Sequence, residues 1–135
     1  MKRVLITGAS GQDGIILSKL YLKKNFKVFG FVKNKKNFYQ KKVNYKINSL
    51  RSKKKIIKDL DTIKPDIIIH LASSNDSFAK RKDYQDYKIN YQDNFKYTKN
   101  LLDSVIQKRI NPRIVFAGSS LMFIKTNKNK LSEKN

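Results

Sequence analysis

The sequence predicts an α/β fold, a doubly wound parallel sheet of five strands with helical crossovers. Three observations carry that prediction. Short apolar runs alternate with stretches of helical period along the chain, the pattern of a parallel sheet covered by helices. A glycine-rich turn, "GASGQDG" from Gly8 to Gly14, follows the first apolar run directly and opens the first helical stretch. Two further stretches of small and polar residues, "HLASSND" and "FAGSS", end the fourth and fifth apolar runs. All three then lie beyond the carboxyl ends of the strands, where open α/β sheets bind ligands at the point of strand-order reversal.

Residues 3–7, "RVLIT", form the first strand, a continuous apolar run suited to a position buried on both faces. Over residues 12–24, Ile16, Leu17, Leu20 and Tyr21 recur on one helical face and Lys19, Lys23 and Lys24 on the other, with Asn25 as the stop. Residues 27–32, "KVFGFV", are the second strand, and a Lys/Asn-rich loop, "KNKKNFYQKK", follows. Residues 43–47 form a weaker third strand. Ile56, Ile57, Leu60 and Ile63 give a second amphipathic helix that Pro65 ends. Residues 66–71, "DIIIHL", are the strongest strand. Tyr84, Tyr87, Tyr91, Phe95, Leu102 and Val105 recur at helical spacing over 83–108 and read as a core-facing stripe rather than a base-stacking platform. After Pro112, residues 113–117, "RIVFA", make the fifth strand, and the polar tail begins at Lys125.

The 135 residues fit one domain, and 39% apolar content excludes a disordered composition despite 30% charged residues. Without cysteine there is no disulfide, thiolate ligand or thiol nucleophile, which fits a reducing, cytoplasmic setting. The start "MKRVLITG" has too short an apolar run for a signal peptide, and no stretch approaches membrane-spanning length. The net charge of +21 raises nucleic acid as a partner. That charge is mostly Lys, scattered over every polar face, beside heavy use of Asn and Ile, so compositional bias explains it better than a specific nucleic-acid surface.

A glycine turn from strand to helix lets the backbone approach a pyrophosphate, which the helix N-terminus then meets with open N–H groups and the positive end of its dipole. Gly8 serves the tight turn, Gly11 the space for the ligand, and Gly14 close helix–strand packing. Bare spacing is weak evidence. The strand before it and the amphipathic helix after it make a dinucleotide site of it.

The turn reads G-x-x-G-x-x-G after Thr7, and it resembles the extended, nucleotide-sugar branch of the short-chain dehydrogenase/reductase superfamily, the NAD-dependent epimerases and dehydratases. Within it, "ITGxxGQDGxxL" is most similar to the GDP-mannose 4,6-dehydratase family, and the resemblance continues through "KPDIIIHLAS", "YTKNLL" and "RIVFAGSS". It implies a Rossmann-type sheet and a cofactor held by Thr7, Gly8, Ser10, Gly11, Gln12, Asp13 and Gly14 at the turn. It adds Lys33, then Asn48, Ser49 and Leu50 near the adenine, and Leu71, Ala72 and Ser73 on the nicotinamide side. In such folds an acid ending the second strand binds the ribose diol and selects NAD. Here the strand ends "FVKNKK", without an acid, and Lys33 stands where the dehydratases have an Arg, which favours NADP over NAD. The acid of the family's Asp-Leu pair is replaced by Ser49, and Asn75 and Asp76 replace the family's Ser and His.

The implied chemistry is transient oxidation of a nucleotide sugar, with a Tyr and a Lys four residues later moving the proton and a Ser or Thr binding the same hydroxyl. Ser119 matches that Ser/Thr. Leu121 stands where the dehydratases have a Glu, a departure that epimerases and reductases tolerate. Tyr84 and Lys88 have the right spacing but lie before the fifth strand, and His70, the only histidine, reads as a satisfied, partly buried imidazole. The Tyr-x-x-x-Lys pair would fall beyond Asn135. The expectation is therefore an incomplete dinucleotide-binding domain over 1–124 and a tail, 125–135, leading toward that pair: the NADP(H)-binding N-terminal portion of a nucleotide-sugar dehydratase, inactive alone. The alternatives are a portion of an epimerase or reductase, or a non-catalytic dinucleotide-binding module. The resemblance also implies association of like chains through the long helices flanking the sheet.

Overall fold

The computed structural model describes residues 1–35, 40–74 and 84–118, the side chains of 84–90 excepted. The elements follow one another as β1 (Arg3–Thr7), α1 (Gln12–Lys23), β2 (Lys27–Val32), β3 (Asn44–Ile47), α2 (Lys53–Ile63), β4 (Ile67–His70), α3 (Tyr84–Gln107) and β5 (Arg113–Phe116). All strand pairs are parallel, in the order β3-β2-β1-β4-β5. The chain starts at the centre, steps outward through β2 to β3, then crosses back to lay β4 and β5 on the other side of β1. Strand order therefore reverses between β1 and β4, and the loops leaving those two strands part to leave a crevice. The predicted fold class holds, and the element boundaries differ from the predicted ones by a residue or so.

Period-two alternation explains why β1 and β2 are apolar throughout. Val4, Ile6, Val28 and Val32 join a cluster with Leu17, Tyr21, Leu22 and Phe26 of α1 and its exit. Leu5, Phe29 and Phe31 point the other way, into a cluster with Ile56, Leu60 and Ile63 of α2 and Tyr97, Leu101 and Val105 of α3. Each fully buried side chain of this kind contributes about 1.5–3 kcal/mol of hydrophobic stabilisation. A strand with helices on both faces has no polar side to show.

The helix ends follow local chemistry. Asn25 takes φ +59°, the left-handed conformation Asn tolerates, and the N–H groups of Asn25 and Phe26 turn back to Leu22 and Tyr21 carbonyls to close α1. Ser52 caps α2, its Oγ accepting from Lys55 N at 3.3 Å. Lys64 ends α2 at φ +47°, immediately before Pro65.

The structure corrects the sequence reading on α1, where Ile16 and Leu20 are exposed and Leu17, Tyr21 and Leu22 pack on the sheet, and on the aromatic stripe of α3. Tyr91 and Phe95 are 67% and 63% exposed, and Leu102 and Ile106 share the solvent side. The face against the sheet is Tyr97, Leu101, Ser104 and Val105. The helix has two apolar stripes, and its own periodicity does not say which one meets the sheet. The side chains of Tyr84 and Tyr87 lie outside the described set. β5 is the sheet edge, with Ile114, Val115 and Phe116 all exposed. Among the described residues no helix is long and apolar enough to cross a membrane.

Candidate functional site

The glycine turn is built by close backbone approach. Gly8 sits at φ +68°, and a Cβ on it would stand 2.9 Å from the backbone nitrogen of Ala72, after β4. Only glycine combines that conformation with that proximity. Gly14, in the first turn of α1, lies under the same loop: a Cβ there would stand 2.7 Å from Ala9 Cα and closer still to the Gly8 carbonyl oxygen. Gly11 differs. Its φ is −75°, it is exposed, and an added Cβ would meet only the Gly8 oxygen, at 3.3 Å.

Gly11 is also the N-cap of α1, with no side chain to bond the helix end. The first helical bond is Ile15 N–H to Gly11 O at 2.9 Å, so the N–H groups of Gln12, Asp13 and Gly14 belong to the open first turn. The turn rests on β2 as well. Ala9 N donates to Phe31 O at 3.3 Å, and Ala9 Cβ occupies the space a side chain on Gly30 would need, 2.7 Å away. The glycine inside "KVFGFV" is thus the seat of the turn. A glycine in a strand interior signals such an approach, and it was available in the sequence.

A cavity of about 360 Å³ opens beside this turn, at the carboxyl edge of β1, β2 and β4. Of the predicted cofactor residues, Thr7, Gly8, Ser10, Gly11, Lys33, Asn48, Ser49, Leu50, Leu71, Ala72 and Ser73 line it. Gln12, Asp13 and Gly14 do not: the first two are exposed in the first turn of α1, and Gly14 is buried behind the loop. Phe31, Val32 and Tyr97 line it without having been singled out in the sequence. Tyr97 heads an i, i+4, i+8 series with Leu101 and Val105, but the exposed stripe of the same helix is equally apolar, so the series alone does not single it out. Ser119, the predicted catalytic residue, lies outside the described residues, as do Asn75, Asp76, Leu121 and the tail from 125.

Several lining residues have their polar groups engaged internally. Asn48 is buried; its Nδ2 donates to Asp59 Oδ2 at 2.8 Å and its Oδ1 accepts from Leu50 N at 3.0 Å, which holds Leu50 at φ +62°. Asn48 therefore shapes the wall; Ser49 is exposed on it, and Leu50 borders the cavity while its side chain is buried in the core cluster. Tyr97 OH donates to Asp93 Oδ2 and accepts from Arg51 Nε, both at 3.0 Å. The Tyr97 hydroxyl first, and then the Asp93 carboxylate 3.4 Å from Arg51 Nη2, raise the pKa of the Arg51 guanidinium above its ordinary value. Lys33 stands exposed on the rim, with no carboxylate near its ammonium among the described residues.

His70 is 2% exposed at the end of β4. Its Nδ1 lies 2.6 Å from Thr7 Oγ1, its register partner on β1, and its Nε2 lies 3.0 Å from Thr98 Oγ1 on α3. Burial pushes its pKa down to about 4, so the ring is neutral at physiological pH. Thr7 is fully buried, and its Oγ1 also accepts from Ala72 N at 3.1 Å. The threonine thus borders the cavity while its hydroxyl serves the protein. No cluster of potential metal ligands occurs among the described residues.

The strand order, the reversal beside β1 and the glycine turn define the class of the protein, a Rossmann-type doubly wound α/β domain. The chain belongs to the NAD dependent epimerase/dehydratase family, whose sequence model matches residues 4–135. Solved structures with the same fold include the UDP-glucose 4-epimerase of Brucella ovis in complex with NAD (TM-score 0.83, 17% identity, 99% of this chain and 41% of that chain). The UDP-glucose 4-epimerase of Thermus thermophilus in complex with NAD is similar (TM-score 0.79, 20% identity, 98% and 43% covered). So is the UDP-N-acetylglucosamine 4-epimerase of Bacillus cereus (TM-score 0.71, 18% identity, 100% and 46% covered). This chain spans less than half the length of each of these proteins. No match was found among curated proteins.

Proposed function

We propose that the chain is the dinucleotide-binding portion of a nucleotide-sugar dehydratase or epimerase, and that its dinucleotide is NADP(H). The observation that carries the reading is the Gly8–Gly14 turn: a left-handed glycine, an uncapped helix N-terminus and a cavity between them. These groups fit a pyrophosphate, which needs close backbone approach and N–H donors rather than side chains. Ser10, Gly11 and the open N–H groups of Gln12 and Asp13 would hold it. Ser49 and Leu50 would face the adenine, and Leu71, Ala72 and Ser73 the nicotinamide half. The NAD-bound neighbours support a nicotinamide dinucleotide. The choice of NADP rests on this chain, where an exposed lysine and no acid follow β2. A cation suits a 2′-phosphate, and an acid would repel it.

A bound nicotinamide would supply reversible hydride transfer with the sugar. The residues of this chain bind and orient it; Ser119 would hydrogen-bond the sugar hydroxyl that is oxidised. Residues 119–135 contain no tyrosine, so the proton-moving Tyr-x-x-x-Lys pair is not within them. "GQDG" favours a GDP-mannose 4,6-dehydratase. Leu121 favours an epimerase or reductase, because leucine moves no proton. Fluorescence titration with NADPH and NADH tests the proposal: saturable binding with preference for NADPH is expected. No binding of either at millimolar concentration overturns it.

A further inference from the structure

The bonds around His70 form a directed chain, and that chain ends on a clamp. Thr98 Oγ1 donates its only proton to Asn94 O at 3.0 Å, so it can only accept from His70 Nε2. The neutral ring therefore carries its proton on Nε2, which leaves Nδ1 to accept the Thr7 hydroxyl proton. Thr7 Oγ1 in turn accepts the Ala72 N–H. Every proton is assigned and runs one way, from Ala72 N to the Asn94 carbonyl. Asn94 also reaches the loop directly: its Oδ1 accepts from Ser74 N at 2.5 Å and its Nδ2 donates to Ser74 O at 3.2 Å.

The segment between, Leu71 to Ser74, has no regular secondary structure, yet Leu71, Ala72 and Ser73 form one wall of the cavity. Its own ladder bond is Leu71 N–H to Thr7 O at 3.3 Å. Beyond that, the segment is tied at Ala72 through Thr7 and His70, and at Ser74 through Asn94.

We propose that Thr7, His70, Thr98 and Asn94 are positioning residues: they hold the Leu71–Ser74 wall at the distance the nicotinamide half of a dinucleotide requires, without touching the ligand. This rests on the dinucleotide reading above. It assigns the second half of the ligand, not the adenine half, to the relay. The adenine half is faced by Lys33, Ser49 and Leu50 on the far side of β1.

The test compares the chain with its Asn94→Asp variant, which keeps the shape of the side chain but replaces the donor to Ser74 O with a carboxylate oxygen. Affinities for NADPH and for 2′,5′-ADP, which lacks the nicotinamide half, are measured on both. The expected result is at least a tenfold loss for NADPH and less than a twofold change for 2′,5′-ADP. Equal losses, no loss for NADPH, or a variant that no longer folds overturns the inference while the dinucleotide reading stands. A wild-type chain that binds neither ligand overturns both. A second measurement needs no variant. The single histidine gives one pair of ring ¹⁵N signals, expected as a protonated Nε2 and an unprotonated Nδ1; the opposite tautomer overturns the relay.

Discussion

Gly8 and Ala72 meet backbone to backbone: a Cβ on Gly8 would lie 2.9 Å from the Ala72 nitrogen, and the glycine holds φ at +68°. The contact joins the turn after β1 to the loop after β4 across the crevice where strand order reverses. Gly8→Ala therefore introduces a left-handed alanine and a clash with main chain that cannot rotate away. Each costs on the order of 1–3 kcal/mol. The expected outcome is a loss of about 3 kcal/mol in denaturant unfolding, with the helix signal regained once denaturant is absent or stabilising salt is added.

Gly11 and Gly14 separate binding from packing. Gly14→Ala drives a Cβ into Ala9, and should cost about 2 kcal/mol despite the better helix propensity of alanine. Gly11→Ala meets only one carbonyl oxygen, at 3.3 Å, in an ordinary conformation. It should cost under about 1 kcal/mol while weakening NADPH binding tenfold or more, because the added methyl enters the cavity. Unfolding curves and titrations on both variants check this. A Gly11→Ala protein that binds like the wild type would remove Gly11 from the site.

The proposed preference for NADP(H) rests on Lys33. Lys33→Asp places a carboxylate at the end of β2, where it can accept from a ribose diol and repel a 2′-phosphate. NADPH affinity should fall at least tenfold and NADH affinity should rise. Lys33→Ala should lower NADPH affinity alone. Titrations of both variants with both dinucleotides decide it, and an unchanged ratio in Lys33→Asp refutes the assignment.

These residues also show what the sequence discloses. The strand–turn–helix setting of Gly8, Gly11 and Gly14 was readable because the backbone itself demands glycine at Gly8 and Gly14, and Gly11 completes the spacing between them. The strands were readable because β1, β2 and β4 are buried on both faces and written in continuous apolar runs. The inward face of α3 was not, because Tyr91, Phe95 and Leu102 are as apolar as Tyr97, Leu101 and Val105; which stripe meets the sheet is decided by the crossover. Nor was the role of Asn48 or Thr7, whose polar groups are taken up by partners 11 and 63 residues away in sequence. Such bonds exist only once the sheet has brought them together.

Asn48 illustrates the consequence. It stands just before the position where the resemblance expects an acid, and its amide bridges Asp59 and the Leu50 N–H. Asn48→Asp would set one carboxylate within hydrogen-bond distance of another in a buried place. The shared pKa then rises above the unfolded value, so the native state binds more protons and stability increases as pH falls. The variant should lose about 2 kcal/mol at pH 7 and recover most of it near pH 5. Unfolding at the two pH values checks the sign.

His70 gives the opposite pH dependence. Burial lowers its pKa to about 4, while the unfolded chain titrates near the ordinary value of 6.5. Between those values the unfolded state binds more protons than the native one, so stability falls as pH is lowered. The contribution is whole above about pH 6.5 and lost by about pH 4, a span on the order of 3 kcal/mol at about 1.4 kcal/mol per pH unit. Among the described residues the ring meets Thr7, Thr98 and Phe116, none of which titrates in that range. In His70→Gln this component vanishes while the carboxylates still titrate. The difference in unfolding free energy between wild type and variant should therefore change steadily from pH 6.5 to pH 4 and be flat above pH 7. A difference that stays constant across the acid range would show that His70 is not the buried neutral ring that joins β1 to α3.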